Sequence, residues 1–198
     1  MTPEPLYAIS LYQPWATLCV LPDPRSLIWP EKRYETRGWK PPARLIGRRV
    51  AVHAAATWTR RLAEFTAGNH FADLATGHNP EIVAEILRRH GIDPGPQVPP
   101  RGRLVRPLPL GAIVGTVVLA RSLRCTRGKV LHRALLDARG EIAAEPGFDQ
   151  LDLGDFSPGR YAWELHQPRP LAEPIPCRGL QRFWEVPAPI AAAIRESL

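Results

Sequence analysis

Lys32, Glu35 and Arg37 place an ammonium, a carboxylate and a guanidinium within Pro30-Glu31-Lys32-Arg33-Tyr34-Glu35-Thr36-Arg37. Side chains alternate along extended backbone, so if this window is a strand, Glu35 and Arg37 share a face and become neighbours. Two chemistries fit. A carboxylate beside a guanidinium makes a structural ion pair, whereas a lysine next to such a pair, at the mouth of a loop, holds a phosphate or serves as an activated amine. His53, near the end of Arg49-Val50-Ala51-Val52-His53-Ala54, is the best general-base candidate, with a hydrogen-bonded core histidine as the alternative. Ser10 and Gln13 adjoin a helix start, where both can cap, and the Ser10 hydroxyl could equally face a cleft. Trp15 and Trp39 flank the motif as stacking surfaces or as packing, while Trp163 and Trp184 lie inside strand patterns and are assigned to packing. Ser157-Pro158-Gly159-Arg160 is either a plain turn or a turn whose N–H groups and Arg160 bind phosphate.

The charge around these residues is regional. Nine cations against one acid, Asp137, fall between Arg101 and Arg139, a local +8 within a total of +7, so the remainder sums to −1. Arg121, Arg124, Arg127 and Lys129 form the centre of this stretch, and such a patch attracts polyanions, nucleic acid first. The alternative is a solvated face in a chain whose 26 cations include only three lysines, as a coding preference for arginine would give.

The elements that must position these groups can be read from periodicity. Tyr7 to Leu11 is expected as a strand, Gln13 to Leu21 as a helix with Trp15, Leu18 and Cys19 on one stripe, and residues 22 to 31 as a loop broken by prolines. Arg49 to Ala54 reads as a second strand with Val50 and Val52 on one face and His53 on the other. Trp58 to Ala67 and Pro80 to His90 read as helices, and the passage from Asp93 to Pro109, with six prolines, as a long loop. The β-branched run Leu110 to Ala120 is the strongest strand and belongs at the centre of a sheet, with Gly111 and Gly115 allowing a bend or close backbone approach. Arg160 to Leu165, Leu171 to Pro176 and Arg182 to Val186 follow as shorter strands, and Ala188 to Ser197 as a last helix. Strands outnumber helices and alternate irregularly, which argues for an α+β fold, a small mixed barrel with attached helices, over a doubly wound parallel sheet.

At 198 residues the chain suits one domain, or one domain with an elaborate insertion. No stretch approaches the roughly 18 apolar residues that cross a bilayer, and Met1-Thr2-Pro3-Glu4-Pro5 lacks a secretory start, so a cytoplasmic protein without a membrane partner is expected. Cys19, Cys125 and Cys177 are far apart and without zinc-site spacing, which reads as reduced and structural. No metal site, nucleotide-cofactor loop or other cofactor motif is expected.

Ile9-Ser10-Leu11-x-Gln13-Pro14-Trp15-Ala16, Lys32-x-x-Glu35-x-Arg37-x-Trp39, Gly47-x-x-Val50-Ala51-Val52-His53-Ala54, Leu110-Gly111-Ala112-Ile113-Val114-Gly115, Trp163-Glu164-Leu165 and Pro174-Ile175-Pro176-x-x-Gly179, in that order, resemble the activating signal cointegrator homology (ASCH) domain. The resemblance leaves out residues 59–108. It implies a fold like the pseudouridine synthase and archaeosine transglycosylase (PUA) domain, a barrel of about five or six strands with flanking helices, whose cleft is lined by Gly-x-Lys-x-x-Glu-x-Arg. Pro30 stands here where that family has glycine.

The resemblance also implies two functions. One is recognition of RNA or a nucleotide, with DNA as a second candidate, through Lys32 and Arg37 for phosphate, Glu35 orienting Arg37, and Ser10, Gln13, Trp15, Trp39, Arg160 and the basic residues after Ala120 around them. The other is hydrolysis, of a nucleoside such as N4-acetylcytidine or of RNA, with Lys32, Glu35 and His53 as the catalytic candidates. The amidohydrolase activity is attributed to a lysine, a threonine three residues on, and a glutamate. Here Glu35 stands in the threonine position and Thr36 would face the other way, so the expected nucleophile is missing.

Overall fold

A computed structural model describes residues 4–26, 28–69, 78–96, 106–128 and 133–198. Among these residues, eight strands form one mixed sheet and five helices pack around it, an α+β arrangement. The strands are β1 (Tyr7–Leu11), β2 (Tyr34–Arg37), β3 (Arg48–Ala54), β4 (Ala112–Thr126), β5 (Ala134–Leu136), β6 (Ile142–Ala144), β7 (Tyr161–Pro176) and β8 (Phe183–Glu185). The helices are α1 (Trp15–Leu18), α2 (Arg60–Thr66), α3 (Pro80–Arg89), α4 (Phe148–Leu151) and α5 (Ala188–Glu196). The sheet order is β2-β7-β4-β3-β1-β8, with β5 and β6 attached beside β4. The path has different strands at its two ends, so the sheet is open among the described residues and the closed barrel expected above is not seen.

The β-branched run forms the centre, as its composition demands: β4 pairs antiparallel with β3 on one side and β7 on the other. Gly115 serves the close approach expected of it, because a Cβ there would lie 2.6 Å from the Arg169 carbonyl oxygen and 2.9 Å from Val20 Cβ. The two late strands expected at 160–165 and 171–176 are one strand, β7, despite Pro168, Pro170 and Pro174. Of the three register shifts against β4, two span Pro174 and Pro168, so the ladder bends where those prolines would otherwise break it. The helix expected over Gln13 to Leu21 is only Trp15–Leu18. Its neighbours form turns instead, and the buried Gln13 side chain accepts from Thr17 N–H at its start.

β1 and β3 run parallel with Ser10 opposite His53, which brings two distant candidates side by side. Val50, Val52 and Ala54 face one core with Ile9, Leu11, Val117 and Trp163. On the opposite face, Ala51 packs with Trp184, Val186 and Ile194, under α5. The described part of the 59–108 region is built into the molecule: Phe65, Val83 and Leu87 bury against Leu18 and Leu153. It also grips the Lys32 loop, since the buried Glu31 carboxylate accepts from Arg89 Nη2 at 2.7 Å to each oxygen and lies 2.7 Å from His90 Nε2. No helix among the described residues is long and apolar enough to cross a membrane.

A second buried carboxylate, Glu164 on β7, ties β2 and β4 together. Its oxygens lie 2.6 Å from Arg33 Nη2 and 2.5 Å from Arg121 Nε, and Arg33 is stacked 3.4 Å over the Trp29 ring. Burial pushes the Glu164 carboxyl up, but hydrogen bonds and charge from Arg121 and Arg33 outweigh it and hold the pKa below the ordinary 4.5. A carboxyl depressed in the folded state contributes stability above its unfolded pKa and loses it as pH falls through the folded one. Urea unfolding of wild type should therefore show a stability loss as pH is lowered below 4.5, and Glu164→Gln should lack that acid-sensitive component while costing about 3 kcal/mol at neutral pH.

Candidate ligand cleft

The Lys32 window is extended, and its carboxylate and guanidinium meet as alternation requires: Arg37 Nε lies 2.8 Å from Glu35 Oε1. That contact is Coulombic rather than aligned along the N–H, because Arg37 Nε has no hydrogen-bond acceptor. The other Glu35 oxygen lies 3.5 Å from Lys32 Nζ. Lys32 departs from the phosphate-holding role read from the sequence. Its side chain is 3% exposed, and Nζ donates to the carbonyls of Tyr34 and Leu153, both at 2.7 Å. Two carbonyls and a carboxylate thus surround the amino group, with the Trp15 ring 5.5 Å away. Lys32 holds Glu35, and Glu35 holds Arg37.

Arg37, one-third exposed, lies between two depressions. The smaller, about 240 Å³, is lined by Trp15, Lys32, Glu35, Thr36, His78, Asp155 and Arg160 among others. Apart from Arg37, its arginine and lysine side chains are committed: Lys32 as above, and Arg160 donates to the carbonyls of Asp155 and Thr36 and lies 3.3 Å from the Asp155 carboxylate. The Ser157 to Arg160 segment is a plain turn, with Ser157 Oγ donating to Asp155 and Gly159 at φ +91°. Thr36 Oγ1 accepts from Asp155 N–H, so it is turned to structure as well.

The larger cleft, about 650 Å³, gathers Ser10, Tyr12, Arg37, Trp39, His53, Gly111 and the 177–182 segment. Five of the six segments that carried the family resemblance contribute to its lining: β1, the Lys32 window, β3, the start of β4 and Gly179. Among the described residues, Arg37, Arg178 and Arg182 are its cations and no acidic residue lines it. Trp39 packs edge-on against Trp163 at 4.7 Å while the Arg182 guanidinium lies 5.8 Å from its ring centre. Arg178 and Arg182 escaped the sequence reading, because isolated arginines in a loop have no periodicity; the Pro-Ile-Pro-x-x-Gly motif just before them was the available signal.

His53 forms the cleft floor. Its Nε2 lies 2.9 Å from the Cys177 carbonyl oxygen, which can only accept, so Nε2 carries the hydrogen and Nδ1 the lone pair. Burial pushes the His53 pKa down, against the opposing effect of that hydrogen bond, so the ring is neutral at neutral pH. Nδ1 is buried without a partner, beneath Gly179, where an added Cβ would lie 2.2 Å from His53 Cε1 and 2.7 Å from Ser10 Oγ. Ser10 Oγ accepts from Trp184 Nε1 at 3.2 Å. A base so covered is a packed core histidine in this state.

The remaining candidates fall elsewhere. Gln13 is a buried staple, its amide donating to the Pro109 carbonyl at 2.9 Å, and is closed to ligand. Arg121 is bound to Glu164, and Arg121, Arg124 and Arg127 line neither cleft. Lys129 lies outside the described residues. Trp163 and Trp184 are buried packing, as expected. Among the described residues no three His, Cys, Asp or Glu side chains cluster so as to hold a metal ion. No protein-family model and no curated protein matches the chain.

Two substitutions test this architecture. Lys32→Met should cost about 3 kcal/mol in urea unfolding, because it leaves Glu35 buried beside one cation and two carbonyls unpaired. Gly179→Ala should cost about 1–3 kcal/mol by overpacking against His53, and the double variant with His53→Ala should recover most of that loss in a double-mutant cycle.

Proposed function

We propose that the chain is an ASCH-type module of PUA-like ancestry, its sheet left open, that binds single-stranded nucleic acid or a nucleotide, RNA before DNA, in the 650 Å³ cleft. The supporting observation is the lining: three arginines, an edge-held tryptophan and a neutral histidine, with five of the six motif segments contributing to the walls and no acid among the described lining residues. Arg37, Arg178 and Arg182 are placed to meet phosphates, and Trp39 and the 55% exposed Tyr12 to meet bases. Glu35 acts indirectly, by fixing Arg37.

Binding is favoured over hydrolysis because the three candidate catalytic groups are occupied or covered: Lys32 by carbonyls, Glu35 by two cations, His53 by Gly179. Fluorescence anisotropy with short single-stranded RNAs should give salt-dependent binding, with each of Arg37→Gln, Arg178→Gln and Arg182→Gln reducing the slope against log salt by about 0.7. Trp39→Ala should weaken binding by about 1–3 kcal/mol, with folding checked by circular dichroism. Unchanged affinity in an Arg178→Gln/Arg182→Gln double variant would remove the cleft from the reading. Chromatography after incubation with N4-acetylcytidine and with a folded RNA should show neither acetate release nor scission; either product would favour the hydrolase instead.

A further inference from the structure

At the other end of β3 lies a cavity of about 410 Å³, lined by Glu4, Tyr7, Arg48, Arg49, Thr116 and Arg195 among others. Arg49 and His53 fall on the same face of the strand by alternation, four residues and so about 13 Å apart. Ala51 lies between them, buried against α5 residues. The cavity is therefore separate from the nucleic-acid cleft and shares none of its lining residues.

Its charges are unbalanced. Among the described residues Glu4 is the one acidic side chain of the lining, and it is committed: its carboxylate pairs with Arg48, and its carbonyl accepts from Arg195. Arg49 is held only by neutral acceptors, Nη1 donating to Thr116 Oγ1 and the Gln167 carbonyl at 3.0 Å each and Nη2 to Gln167 Oε1 at 3.3 Å. That leaves two of its five N–H donors without a protein acceptor. Across the sheet, Thr116 is paired with Arg169, whose guanidinium acts on Arg49 as a like charge. Burial and that repulsion both push the Arg49 pKa down, the signature of a partly desolvated cation with no counter-ion.

We infer that this cavity is an anion site that takes a phosphate group on Arg49, with Arg169, outside the lining on the neighbouring strand opposite Thr116, adding positive charge from beside it. A guanidinium fixed by its inner donors and free at two others is pre-organised for a tetrahedral oxyanion, and binding one there relieves the repulsion between the two arginines. The phosphate can be free, as inorganic phosphate, or carried by a nucleotide or an oligonucleotide. The inference does not rest on the cleft reading, since the sites have no residue in common.

The test is titration of the full chain with sodium phosphate, against sodium chloride at matched ionic strength, followed by thermal melting and calorimetry. Phosphate should raise the melting temperature saturably where chloride does not. Arg49→Gln should weaken phosphate binding about tenfold or more, while Arg88→Gln, at an exposed position of α3 outside both cavities, stays within about twofold of wild type. An identical titration in Arg49→Gln, or an equal shift with chloride, overturns the site. Because Arg49 also ties Thr116 to Gln167, circular dichroism checks the variant; if it does not fold, exposed Arg169→Gln decides, a loss of about threefold or more supporting the site and no change overturning it. Adenosine monophosphate and a short single-stranded RNA complete the series. Equal affinities for phosphate and the monophosphate identify a free-phosphate site, and tighter RNA binding that depends on Arg49 identifies a backbone contact.

Discussion

The cleft depends on one carboxylate shared between two cations. Glu35 lies between the buried amino group of Lys32 and the guanidinium of Arg37, and each contact gives the other its purpose. A buried carboxylate is costly without compensation, and Lys32 supplies that from the protein side. Arg37, on the solvent side, is thereby restrained without being neutralised, since its Nε–H is not aligned on Glu35. A binding group needs both properties: restraint lowers the entropy lost on capture, and unspent donors give the ligand something to gain.

The same device recurs elsewhere. Glu31 is gripped by Arg89 and His90 from α3, and Glu164 by Arg33 and Arg121 from either side of β7. Glu31 and Glu164 each join segments far apart in the chain, and together with Glu35 all three bear on residues 31–37. The window is thus fixed from behind by a helical region outside the family-like segments and from the side by the central sheet.

Much of this was legible in the residues. The β-branched run at the centre, the pairing of Glu35 with Arg37 and the helices at 60–66 and 80–89 follow from periodicity and capping, which are local properties. The fate of Lys32 was not legible, because its two carbonyl partners, Tyr34 and Leu153, come from positions that no spacing rule relates. Where the basic stretch after Ala120 would lie relative to the cleft was not legible, for a related reason. Composition locates charge along the chain, whereas Arg121 is drawn to Glu164 by the β4–β7 register. Conversely, Arg178 and Arg182 gain importance only because the turn between β7 and β8 brings them over β1 and β3.

Gly179 carries a consequence for how such a cleft can diversify. With no side chain at this position, the loop backbone rests directly on the imidazole and on Ser10, leaving no adjustable layer between wall and floor. The depth of the recess is then a property of main-chain geometry and insensitive to most substitutions. Its breadth is another matter, for Leu180, Gln181 and Arg182 hang from the same anchor with their side chains in water. Variation there can reshape what is admitted while the foundation stays constant.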